Sequence, residues 1–159
     1  MKKIAAMWPQ EARTKDVRMV ALVFAGIICM MTVAQLFSFE KFIPLLDGFG
    51  LDGRFIAVTL VVCGVFSMPF LLQMKLSIAM RWASMMAGWV VVLLWLFLGV
   101  WMNVGGVALD NAGLLGASVE LIPGWWVVVA MAGLGVLAVW SAWGLWPGAR
   151  RALEPGRKK

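Results

Sequence analysis

Residues 82–104 read WASMMAGWVVVLLWLFLGVWMNV, an uncharged run whose centre from Val90 to Val100 is almost wholly aliphatic and aromatic. A hydrocarbon core about 30 Å thick needs roughly 20 apolar residues at about 1.5 Å rise each. This run meets that length, and residues 19–37, 55–73 and 125–146 do so too. The other charges of the chain lie between or beyond these segments. The whole has 63% hydrophobic and 14% charged residues, against about a quarter charged in a soluble domain. A core of this size has no room for that much apolar surface, so the surplus faces lipid. The fold class is therefore an all-α integral membrane four-helix bundle. It is organised as residues 1–18, a basic segment; 19–146, the transmembrane domain; and 147–159, a basic tail.

The basic residues set a direction. Lys2, Lys3, Arg13, Lys15 and Arg18 precede the first span, Lys75 and Arg81 lie in the short link between spans two and three, and Arg150, Arg151, Arg157, Lys158 and Lys159 follow the last. The two long links hold only Lys41 and Arg54, beside Glu40, Asp47, Asp52, Asp110 and Glu120. Lys and Arg are retained on the cytoplasmic side, so both termini are expected on the cytoplasmic side of a cell membrane. The net charge of +6 is dispersed in this way and forms no continuous patch, so no nucleic-acid partner is expected. Residues Thr32-Val33-Ala34 form a weak cleavage motif after a basic start. The long, mixed-charge lead segment instead predicts an uncleaved anchor.

The link after the first span is too apolar to be a solvated loop. Phe42, Leu46 and Phe49 recur at helical spacing, with Phe39, Ile43, Leu45 and Leu51 beside them. A short interfacial or re-entrant helix is expected, closed by the turn Asp47-Gly48-Phe49-Gly50. Its backbone needs protein or water partners if it dips into lipid. Asp47 and Asp52 lack the alternating acids of a calcium loop and read as turn formers. Leu114, Leu115, Val119 and Leu121 predict a second partly buried link. Pro69 should interrupt the hydrogen-bond ladder of the second span.

Candidate chemistry is sparse. With no His and two Cys, His-ligated haem and zinc and a CxxC motif are excluded, and no cofactor is expected. Cys29 and Cys63 sit at matched depth in adjacent spans; each is read as a small buried hydrophobe, with an intramembrane thiol pair as the alternative. Thr32, Gln35, Thr59 and Asn103 gather in the loop-side half of the spans near Glu40. Buried polar groups need partners, so these five residues are either an internal hydrogen-bond set or the lining of an outward-facing ligand pocket. Small-residue pairs Ala21/Ala25, Ala83/Ala87, Ser84/Gly88 and Ala138/Ala142 allow close helix contact, within the bundle or with a membrane partner or second copy.

Residues 34–51 (AQLFSFEKFIPLLDGFGL) and the run 70–83 with Gln73, Lys75 and Arg81 resemble the amphipathic segment and helix-two/helix-three hairpin of DoxX/MauE-type membrane proteins. The resemblance covers about residues 19–104. It departs at Gln35, where a lysine is often found, and at Met68-Pro69, where an acid often stands. It implies a four-helix protein associated with respiratory or periplasmic redox maturation. Three functions are thus expected to compete: a non-enzymatic accessory subunit or assembly factor, a small carrier or ligand-binding protein, and an intramembrane thiol oxidoreductase.

Overall fold

The computed structural model describes residues 14–48, 50, 52–105, 111–117 and 119–146. The expectations for Phe49, Leu51 and Asp110, for most of the basic lead segment and for the tail at 147–159 lie outside the described residues. Among those described, five helices form: α1 (Lys15–Phe37), α2 (Phe39–Asp47), α3 (Gly53–Leu71), α4 (Ile78–Val104) and α5 (Trp125–Leu145). All but α2 are long and apolar enough to cross a membrane. Their 19 to 27 residues correspond to about 28–40 Å of helix. This is a multi-pass membrane protein.

Three of the four spanning helices, α1, α3 and α4, start on side-chain caps. Thr14 Oγ1 accepts from Val17 N, Asp52 Oδ1 from Phe55 N and Ser77 Oγ from Met80 N, each satisfying an orphan amide of a first turn. These caps place three starts outside the apolar runs, with α1 beginning at Lys15, before Met19, α3 at Gly53, before Phe55, and α4 at Ile78, before Trp82. Arg81, counted with the link between spans two and three in the sequence, thus lies in the first turn of α4 and is 1% exposed. At the other end of this hairpin, Gln73 N donates to Phe70 O and Met74 N to Pro69 O. Gln73 takes φ +59°, filling the left-handed position that usually falls to glycine in such a helix stop.

Each spanning helix packs on two others, in the cyclic order α1, α3, α4, α5. Close approaches at glycine fix the antiparallel pairs. A Cβ on Gly99 would meet Val127, and one on Gly135 would meet Val92, so α4 and α5 run oppositely. One on Gly144 would collide with Val17, joining α5 to α1. Ala21, Ala25, Ser84, Gly88 and Ala138 are buried, so most of the predicted small-residue pairs serve the bundle itself. Ala83 remains exposed.

Helix α3 continues through Pro69, whose ring removes a ladder donor. One turn of the ladder there is bridged from the neighbouring helix. Ser84 Oγ on α4 donates to Phe66 O at 2.7 Å and accepts from Phe70 N at 3.1 Å. A hydroxyl inserted beside a proline is one of the few established ways to bend a helix. A cavity of only about 10 Å³ lies next to this bridge, between Ser67, Ser84 and Gly88. That is about the room one water needs, so this part of the interior is closely filled.

Candidate functional site

The polar groups singled out in the sequence all belong to the end of the bundle that carries the two long links. Helix α2 lies there against α3, with Phe42 and Leu46 buried beneath it. Its seat explains both acids of the following turn. Asp47 Oδ1 accepts from Gly53 N at 2.8 Å, and Asp52 caps α3. Both aspartates are turn formers, as expected.

The second link folds inward. Ala112 and Leu114 are buried, and Leu115 and Leu121 are half-buried. Val119 is the correction: it is exposed, because inward burial stops short of it. Two turns need glycine, since Gly113 and Gly116 take φ +72° and +69°. Gly113 rests on Leu45, Phe42 and the Trp95 ring, and Gly116 is pressed against Ala34 O and Ser38 Oγ. Residues 111–117 therefore plug the mouth between α1, α2 and α4.

A plug of bare backbone in an apolar mouth must have its amides and carbonyls satisfied. Asn111 Oδ1 accepts from Gly113 N at 2.9 Å and Leu121 N at 3.2 Å, and Ala112 N donates to Leu121 O. From α1, Gln35 Nε2 donates to Leu114 O at 3.2 Å. Ser38 Oγ donates to Ala34 O at 3.0 Å while accepting from Ala117 N at 2.9 Å. Gln35 and Ser38 lie one turn apart and clasp the plug at two points.

The five nominated residues separate into different roles. Gln35 is buried in the clasp. Thr32 is buried one turn below it, against Gly64 of α3. Asn103 is turned onto its own helix, donating to Gly99 O at 2.8 Å. Thr59 is half-buried on α3, and Glu40 is exposed on α2. Sequence reasoning missed Ser38 and Asn111, and the signal for the second was local: an Asn two residues before a Gly is a turn signature. Behind the plug, Trp95 is fully buried, and its Nε1 has no hydrogen-bond partner among the described residues. Its indole N–H is an unused donor in the bundle core.

The thiols also separate. Cys63 is half-buried, but Cys29 is exposed on the lipid side of α1, correcting its reading as a buried hydrophobe. A small apolar side chain meets lipid without cost, so burial was not required of it.

Gln35→Leu tests the clasp. Loss of the amide leaves Leu114 O buried without its donor, a penalty of about 1–3 kcal/mol. The expected result is a measurably lower midpoint of thermal unfolding in mild detergent, with insertion unchanged. Normal stability together with lost cellular function would instead make Gln35 a ligand contact.

No family model, no curated protein and no solved structure matches this chain.

Proposed function

We propose that this protein is a non-enzymatic accessory subunit or assembly factor of a membrane complex, placed in the cell membrane with both termini on the cytoplasmic side. The observation that carries this reading is where its polar side chains go. Gln35, Ser38, Asn103 and Asn111 hydrogen-bond the protein's own backbone, as structural groups do. What the protein then offers to others is its lipid-facing surface and its plugged end. The DoxX/MauE-like spacing supports a link to a membrane redox system. The distribution of Lys and Arg supports the orientation.

A second reading, a small carrier or ligand-binding protein, is favoured by Trp95 Nε1, a buried donor behind the plug with no partner among the described residues. The thiol oxidoreductase reading requires Cys29 and Cys63 to act together, and both are free thiols. Co-purification in mild detergent from the native membrane separates these readings. An accessory subunit retains a stoichiometric membrane-protein partner, whereas a chain recovered alone, with function abolished by Cys29→Ala plus Cys63→Ala, would restore the thiol reading. In the cysteine-free background, an impermeant thiol reagent added from outside should label Gly50→Cys and spare Met74→Cys. The reverse pattern would overturn the orientation.

A further inference from the structure

We propose that the groove between α1 and α5 seats one acyl chain of a glycerophospholipid from the leaflet on the plugged side. The groove has a volume of about 350 Å³. Ile27, Met30 and Met31 of α1 form one wall, and Ala130, Gly133 and Leu137 belong to the other on α5. Among the described residues, every side chain that lines it is apolar. It opens laterally on α1 and α5, which are lipid-facing helices, so hydrocarbon rather than water has access.

The shape selects the occupant. Along α5 the lining runs from Trp126 to Leu137, about 16 Å at 1.5 Å per residue. That equals about half of a 30 Å hydrocarbon core, the depth of one leaflet. Leu114, Leu115 and Leu121 of the second link line the end away from Leu137. Their link is held by Gln35 at Leu114 O, and Trp126 Nε1 is already bonded to Ile122 O, so this roof turns carbon toward the groove. A spanning helix needs a lane open at both ends and would run into the leucine roof. A flexible chain enters from the side and turns beneath it. The thioether side chains of Met30, Met31 and Met131 conform to such a chain.

Gly133 makes the inference testable, because a Cβ added there meets nothing within 4 Å. Gly133→Phe should fill the groove without disturbing the bundle, and Gly133→Ala should leave most of it open. The protein is reconstituted in phosphatidylcholine vesicles containing a phospholipid with a diazirine in mid-chain, irradiated, digested and mapped. The expected result is adduct at residues 27–31 and 130–137 several-fold above that on the exposed Val58, Val62 and Val65 face of α3. Gly133→Phe should bring the groove down to the α3 level and leave α3 unchanged.

Equal labelling of all lipid-facing helices would overturn the proposal in favour of ordinary annular contact. So would undiminished groove adducts in correctly folded Gly133→Phe. A disulfide-linked dimer formed readily by Gly133→Cys would assign the groove to a second copy. Displacement of the adduct by a polyprenyl quinone but not by unlabelled phospholipid would assign it to an isoprenoid.

Discussion

Gly116→Val is expected to lower the free energy of unfolding by about 3–5 kcal/mol and to lift residues 111–117 from the mouth of the bundle. Two costs combine. Gly116 holds φ +69°, which for an L side chain costs about 1–2 kcal/mol. Its new Cβ would also stand 2.6 Å from Ala34 O and collide with Ser38 Oγ. Ala34 O belongs to the backbone of α1, and Ser38 Oγ is engaged on both sides by Ala34 O and Ala117 N. Neither moves cheaply, so the link must. Ala112 is fully buried, which makes Ala112→Cys in the Cys29→Ala, Cys63→Ala background a direct reporter. Its thiol should be inert in the parent and reactive with Gly116→Val. Unchanged melting and an inert thiol would show that the link is not held as a plug. Gly133→Ala, at an open position, serves as the control for glycine replacement.

The spans were legible because insertion into lipid imposes a long-range average on composition. About twenty consecutive residues must be predominantly apolar, and no local preference overrides that. The amphipathic α2 was legible for a related reason, since Phe42 and Leu46 repeat at helical spacing and both are buried. Helices extend outward past the apolar runs because a cap such as Ser77 stands before the run, and Arg81 is buried inside α4 at its end. The plug was only half legible. Leu114 and Leu121 announced burial, but the partner of Gln35 lies 79 residues away, beyond any periodic signal. Asn103 shows the opposite limit. Its depth matched that of Gln35, yet an asparagine in a helix can satisfy its amide on the carbonyl four residues earlier. Equal depth therefore did not place these side chains in one cluster. Cys29 and Cys63 shared a depth in the same way, and one faces lipid while the other is half-buried.

Gly64→Ala is expected to destabilise the bundle by about 2–3 kcal/mol, within the range for overpacking a filled core. In an exposed helix the same change would instead stabilise by up to about 1 kcal/mol, because alanine restricts the unfolded chain and favours helix. The sign is therefore diagnostic. A Cβ at Gly64 would overlap Thr32 Oγ1, with Thr32 Cγ2 at 3.2 Å and Cβ at 3.3 Å. Thr32 is β-branched and confined to two χ1 rotamers in a helix, and its Cγ2 and Cβ already crowd the same position, so rotation gives little relief and α1 must separate from α3. Gly26 on α1 supplies the contrast: a Cβ there meets nothing within 4 Å, and Gly26→Ala should leave stability unchanged or raise it. If the contact is the cause, Thr32→Ala added to Gly64→Ala should recover most of the loss, giving a coupling of about 2 kcal/mol. Thermal unfolding of the four variants in one detergent measures it. Strict additivity would mean that Thr32 does not set the spacing of α1 and α3, and would return its hydroxyl to the candidates for contact with a ligand.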